Sequence, residues 1–401
     1  MLAPVLRRAG LEPVAVTSVP VPPPPFSGSV RPTDFALVLS EAEGINPLLH
    51  RLRQLRPVAV VPGAESGVIL ADILAADLVP YLANDSTLAA ARRHKGHMVA
   101  ALEARGVRTI RTLTTSSPAE AAHWVTRHEL DGRDLVVKPA MSSATMDVML
   151  LPGGTGLTST ITGLLNKTSH IGVLNEEVVV QERVLGTEYA VDTFTWEGRH
   201  CVSSVCQCRK VANGSSFAIY DSLTFVPYEA AETAVLIDYV EEALDALGIR
   251  FGFAHTEVMM TSAGPVLIEV GARPGGGDLP ALCELATGDN AIHRLVRYLR
   301  DGTPPAPDYR LCWHVSTVYF RTAQAGIIVN TDAYQRIREL PSCRALKVRV
   351  ADGDRVAATS HLLSTLALGW AVLAHRDPHQ VERDRATARE IEQEVRVVPD
   401  P

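Results

Sequence analysis

The segment "HTEVMMTSAGPVLIEVGARPGGG", from His255 to Gly277, constrains the fold more than any other stretch of the 401-residue chain. Two apolar runs flank the polar turn "SAG", so they are expected to pair as an antiparallel hairpin. Side chains alternate across a strand, which puts His255 and Glu257 on one face. Glu269, on the partner run, can then face Glu257. Two carboxylates that close repel unless a cation lies between them, and magnesium, with its preference for oxygen ligands, is the usual solution. A hairpin with solvent-facing glutamates is the plainer alternative. The loop behind Glu269 shifts the balance. Arg273 and the run "PGGG" set a guanidinium and free backbone amides beside the acids, an arrangement suited to phosphate.

The remaining chain reads as α/β. A helix "LAPVLRRAG" ends at Gly10, and a strand "EPVAVTS" follows. After the extended, proline-rich "VPVPPPPFSGSVRP" come strand "FALVLS", helix "NPLLHRLRQLR", strand "PVAVVPG" and helix "AESGVILADILAADL". This alternation predicts a parallel sheet with crossover helices. Such a domain normally opens on a strand, so residues 1–88 are expected to be an N-terminal α/β domain short of its first strand. "STLAAARRHKGHMVAALEARG" predicts one helix, with Ser86 as N-cap and Gly106 at its end. Residues 89–303 form the expected central domain, with strands in "DLVVKPA", "VVVQERV" and "TEYAVDTFTWEGRHCVSSVCQCRKV". The last of these turns back at Glu197 and Gly198. The proline-rich "GTPPAP" marks a boundary, and residues 304–401 are expected to be a smaller C-terminal α/β unit.

Composition excludes several classes. A formal net charge of −7 does not suit a nucleic-acid surface. No apolar run reaches the roughly 20 residues of a membrane helix, and no signal peptide is evident, so a cytoplasmic location is expected. The six cysteines lack zinc spacing and read as buried or half-buried free thiols. Of the 38 Lys and Arg residues only five are lysines, leaving 33 arginines. Where arginine is the default cation, a retained lysine points to a need for a compact ammonium, which singles out Lys95 and Lys138.

Four ordered blocks together resemble the ATP-grasp superfamily over about residues 80–300. "HTEV…GPVLIEVGARPGGG" is similar to its metal-binding hairpin. "AARRHKGHMVAALEARGV" resembles the helix that supplies a first nucleotide lysine, here Lys95. "DLVVKPAMSSATMDV" resembles the strand and phosphate loop, with Lys138 as second lysine and Ser142 and Ser143 in place of glycines. "VVVQERVLGTEYAVDTF" resembles the adenine hinge, with Glu182 and the backbone near Val184 at the adenine and Glu188 at the ribose. The family pattern Glu-x-Asn-x-Arg reads here Glu269-Val-Gly271-Ala-Arg273, the form of the L-amino-acid ligases, which make dipeptides.

That resemblance implies an ATP-grasp core with a mobile lid near residues 132–182 and a C-terminal lid domain at 304–401. It implies ATP as co-substrate and two magnesium ions on Glu257 and Glu269, with manganese as a substitute. Arg273 and Lys138 become the catalytic residues of a ligase that joins a carboxylate and an amine through an acylphosphate. Gly276 in the open "GGG" suggests room for the acid. Lys210 and Tyr220 flank "VANGSSFAI", read as a mobile loop near the acceptor. His255 is open between touching phosphate or a substrate carboxylate and packing as a hydrogen-bonded core histidine. Glu65, at a strand end before a helix, is open between holding a substrate ammonium and capping the helix. A homodimer is compatible with this picture. A carboxylase-type or purine-pathway carboxyphosphate enzyme is the alternative, against which Gly271 argues. A non-catalytic ATP-binding module is the third reading.

Overall fold

The computed structural model describes residues 2–18, 31–142, 145–169, 172–213 and 216–399. The helix Leu2–Arg8 ends near Gly10, whose φ of +80° suits a glycine stop. Strand β1 (Val14–Thr17) then pairs in parallel with β2 (Leu37–Ser40). The proline-rich loop between them falls largely on residues 19–30, outside the described residues. "PVAVVPG" departs from expectation, because residues 57–63 join no ladder among the described residues. Pro57 and Pro62 lack the N–H that a ladder uses at each end of the run. Val60 still packs against the apolar cluster that contains Leu39, Leu70 and Leu74.

The single helix expected over residues 86–106 is also broken. Short 3-10 turns at Ser86–Leu88 and Ala90–Arg92 precede the α-helix Lys95–Glu103. Asp85, not Ser86, caps the first turn by accepting from the Thr87 N–H at 2.9 Å. The break satisfies a buried arginine. Arg92 is fully buried and donates from Nε to Asp72 at 2.9 Å, from Nη1 to the Leu247 carbonyl at 2.8 Å and from Nη2 to the Asp85 carbonyl at 2.9 Å. Non-helical backbone at Arg93 (φ −134°) then lets a new helix start at Lys95, with His94 as its cap.

Strands β3 (Thr112–Thr115), β4 (Leu135–Pro139), β5 (Met149–Leu151) and β6 (Val178–Glu182) form an antiparallel sheet in the order β3-β6-β4-β5. The helices Pro118–Arg127 and Leu157–Leu164 pack on it over Leu135, Val137, Ile161 and Val180. This unit takes in residues from Thr112, some way before the start at 132 expected for the lid.

The dominant element is an eight-stranded antiparallel sheet. It contains β7 (Thr187–Trp196), β8 (Arg199–Asn213), β9 (Ser216–Phe225), β10 (Gly252–Thr261) and β11 (Gly264–Gly271). It continues into β12 (His314–Tyr319), skips β13 (Gly326–Val329), and takes up β14 (Cys343–Val348) and, passing β15 (Arg355–Val356), β16 (Gly369–His375). The order is β11-β10-β7-β8-β9-β12-β16-β14. Thus the sheet runs on across the "GTPPAP" segment, where sequence suggested a boundary. The C-terminal residues add three strands to it besides their own small sheet of β13, β15 and β17 (Arg396–Val398). The β7–β8 hairpin turns at Glu197 (φ +50°) and Gly198 (φ +76°), as its two-residue connection requires. All six cysteines are free, four of them buried, Cys343 half-buried and Cys312, against expectation, exposed. No helix among the described residues is long and apolar enough to cross a membrane.

The Arg92 brace ties the helix Val68–Leu78 to the segment that delivers Lys95. Removing one partner of a buried ion pair leaves the other uncompensated, which typically costs about 3–5 kcal/mol. Arg92→Ala is therefore expected to lower the unfolding free energy by about that amount, read from urea titration; a loss under about 1 kcal/mol would show that the brace is dispensable.

Candidate active site

The hairpin register is the one the sequence suggested. Glu257 pairs directly with Glu269, and His255 with Gly271. On the other side of β10, strand β7 sets Asp192 against His255 and Ala190 against Glu257. Alternation then brings Glu188 and Asp192 of β7 to the same face as His255 and Glu257. Acidic side chains so close need cations, and the fold supplies them from three directions. Lys95, at the start of its helix, reaches Glu269 at 3.0 Å and donates to the Ser142 carbonyl at 2.9 Å. Lys210, on β8, lies 2.5 Å from Glu188 and 4.5 Å from the centre of the Tyr220 ring. His255 lies between Asp192, 2.8 Å from Nδ1, and Glu257, 3.8 Å from Nε2.

These neighbours shift the ionisation of the site. Burial disfavours the Lys138 ammonium, nearby Lys95 adds repulsion, and the pKa falls to about 8. Burial would raise Glu257, but Lys210 and His255 outweigh it and hold the carboxyl well below the usual range. Burial lifts Glu188 despite the Lys210 ammonium. His255 is disfavoured as a cation by burial, yet Asp192 wins and raises it to about 9. Lys210 is likewise opposed by burial and raised by Glu188 and Glu257.

One cavity of about 1640 Å³ gathers these groups. Lys95, Lys138, Ser142, Glu182, Val184, Glu188, Lys210, His255, Glu257, Glu269, Arg273 and Gly276 all line it, and so does Glu65 from the N-terminal unit. Ser143 lies outside the described residues, as do residues 214 and 215; on either side of them "VANGSSFAI", expected as a loop, continues β8 and β9, which pair Lys210 with Tyr220 and Asn213 with Ser216. Gly276 faces open space, with nothing within 4 Å of where a Cβ would stand. The Glu182 carboxylate accepts from Arg111 Nη2 at 2.6 Å. Glu65 does not cap the helix through its side chain. Its carboxylate accepts from Arg273 Nε at 2.8 Å and lies 3.5 Å from Arg93 Nη1. The His255 alternatives merge: the ring is hydrogen-bonded to a buried acid and lines the cavity as well.

Asp192 and Arg93 escaped the sequence reading. A signal for Asp192 existed, since it stands four residues after Glu188 in a strand and so shares its face. Arg93 sat inside an apparent helix, where its burial could not be read. A metal fits the acidic pair in part. Among the described residues no three His, Cys, Asp or Glu side chains are grouped to hold a metal unaided. Two facing carboxylates suit magnesium, which takes one or two protein carboxylates and completes its shell with water and phosphate.

The depressed Lys138 has a consequence for stability. Its folded pKa of about 8 lies below the roughly 10.4 of an unfolded lysine. Between those values the unfolded chain binds more protons, so stability rises with pH across that window. Urea midpoints of the ligand-free protein should rise between pH 8 and 10 relative to those of Lys138→Met. Parallel profiles for the two proteins would mean that Lys138 keeps an ordinary lysine's titration.

Residues 132–281 match the ATP-grasp domain family. Dapdiamide A synthase of Enterobacter agglomerans is 29% identical over 357 residues, which cover 87% of this chain and 82% of that protein. Among solved structures, L-amino acid ligase from Bacillus licheniformis superposes with a TM-score of 0.73 at 17% identity, covering 100% of this chain and 95% of the other. N5-carboxyaminoimidazole synthetase from Staphylococcus aureus, complexed with ADP, superposes with a TM-score of 0.65 at 12% identity, covering 98% and 94%. At such identities the structural matches speak to the fold. Residues 132–281 thus match the ATP-grasp domain family, and the fold of the whole chain is similar to that of the Bacillus licheniformis L-amino acid ligase.

Proposed function

We propose that the protein is an ATP-dependent carboxylate–amine ligase that makes an amide or peptide bond through an acylphosphate, on amino-acid-like substrates. The observation that carries this reading is the meeting of Glu257, Glu269, Lys95, Lys138 and Arg273 in one cavity. The similarity to dapdiamide A synthase over most of both chains supports it. A carboxylate oxygen of the acid attacks the γ-phosphorus of ATP, the bond to the β-phosphate oxygen breaks, and ADP leaves. The amine nitrogen then attacks the acyl carbon, the bond to the phosphate oxygen breaks, and phosphate leaves as the nitrogen gives up a proton. Lys95 and Lys138 attract the phosphates, and Arg273 donates to the oxyanion of the tetrahedral intermediate.

Glu257 and Glu269 would hold magnesium, two ions with manganese as a substitute, which neutralises phosphate charge when bound. The backbone near Val184 meets the adenine, and Glu188 the ribose. The partners are a small carboxylic acid and an amine, and the enzyme works in the cytoplasm. A carboxyphosphate enzyme shares the fold, as the N5-carboxyaminoimidazole synthetase match illustrates. Gly271, in place of the asparagine usual in the superfamily, favours the amino-acid-ligase form.

Two measurements test the reading. Glu269→Gln is expected to abolish ADP formation while circular dichroism and the gel-filtration volume stay those of the wild type; near-wild-type activity at saturating magnesium would remove the metal assignment. Arg273→Lys should keep ATP binding and lower amide formation by on the order of 10²–10³, the usual cost of losing an oxyanion donor. Phosphate release should require both an acid and an amine. An ATPase driven by bicarbonate and indifferent to every amino acid would transfer the protein to the carboxyphosphate class.

A further inference from the structure

Arg273 stands on a loop, "ARPGGG", with little bulk to hold a guanidinium in one orientation. Its Nη1 donates to the Pro274 carbonyl at 2.9 Å, within its own loop. The contact from outside is Glu65, 208 residues away, whose Oε2 accepts from Nε at 2.8 Å. The other oxygen of Glu65 lies 3.5 Å from Arg93 Nη1. Arg93 is 4% exposed, and neither of its terminal nitrogens has a hydrogen-bond partner among the described residues. One carboxylate therefore already serves two guanidinium groups. A substrate ammonium would be a third cation on one negative charge and would have to break the bond to Arg273.

Gly271 supplies an independent observation. A Cβ there would stand 3.3 Å from Arg273 Cζ and 3.3 Å from Glu65 Oε2. Contacts that tight require the neighbours to shift. The glycine that departs from the superfamily's asparagine thus makes room for the ion pair itself. We propose that Glu65 is a positioning residue: from the N-terminal unit it fixes the Arg273 guanidinium through Nε and leaves Nη2 as the donor without a bond among the described residues. It does not hold substrate. Gly271, by this account, is coupled to that pair. The inference rests on the ligase reading for the role of Arg273, while the clamp itself can be tested without it.

The test uses the full chain with magnesium, ATP and an equimolar mixture of the twenty proteinogenic amino acids, and follows ADP release. Glu65→Gln is expected to lower the maximal rate about tenfold to 10²-fold, as misplacement of a reacting group does. The half-saturating ATP concentration should stay within about twofold. In an Arg273→Lys background the same change should lower the rate by less than about twofold, because a positioning residue has no effect without the group it positions. Gly271→Asn, which leaves both charges in place, should reproduce the loss. Three results would overturn the proposal: an unchanged rate in Glu65→Gln, losses that multiply in the double variant, or a Gly271→Asn enzyme that is as fast as wild type. Raised half-saturation for amino acids at a preserved maximal rate would assign Glu65 to substrate instead. If the wild type releases no ADP with the mixture, the ligase reading fails on its own. The clamp is then judged by melting temperature: the losses from Glu65→Gln and Gly271→Asn fall short of their sum if the two residues share it, and add if they do not.

Discussion

Everything in the site answers to two glutamates facing each other across a hairpin. Directly opposed strand residues hold their Cβ atoms about 4.5–5.5 Å apart, and like charges there are destabilising. The register of β10 and β11 leaves Glu257 and Glu269 no way to separate, and β7 adds Glu188 and Asp192 to the same face. A sheet that concentrates acid in this way is stable only if cations arrive from elsewhere in the chain. Lys95 comes from a helix start, Lys210 from β8, and His255 from the hairpin itself.

The cations come at a structural cost. Lys138 is 5% exposed and burial depresses its pKa to about 8, so its ammonium costs the ligand-free folded chain stability. Lys95 requires its helix to begin abruptly, which explains the broken segment before it. Arg92 turns inward there to bind Asp72 and two carbonyls, and Arg93 turns toward Glu65. Two consecutive buried arginines cannot both be served by an unbroken helix, in which successive side chains point about 100° apart.

The N-terminal unit gains a function from the same contacts. It carries only a two-stranded sheet among the described residues, yet it reaches the chemistry through one carboxylate. Glu65 lines the cavity and meets Arg273 beside Gly271, at the end of the acidic hairpin. The C-terminal residues Thr317, Tyr319 and Trp370 also line the cavity, and the Leu362 N–H donates to Thr145 Oγ1, in the segment between β4 and β5, at 3.4 Å.

Much of this was legible in order along the chain. A polar turn between two apolar runs sets the hairpin, and the two-residue side-chain period then sets Glu257 opposite Glu269, because both are local rules. The Glu197–Gly198 turn follows from the same kind of rule. Other features escaped because they depend on groups distant in sequence. Helical periodicity over residues 86–106 was real, but Asp72 and the Leu247 carbonyl claimed Arg92 and broke the helix. "PVAVVPG" had a strand's composition, and its two prolines denied it a ladder. The C-terminal strands looked like a separate unit because pairing between β9 and β12 links residues over 90 positions apart. Residue types and spacing alone determined that this chain would set two acids opposite each other with an arginine and glycines just behind them. Only the tertiary structure decided that Glu65 would grip Arg273, because an ion pair spanning 208 residues leaves no trace in local sequence.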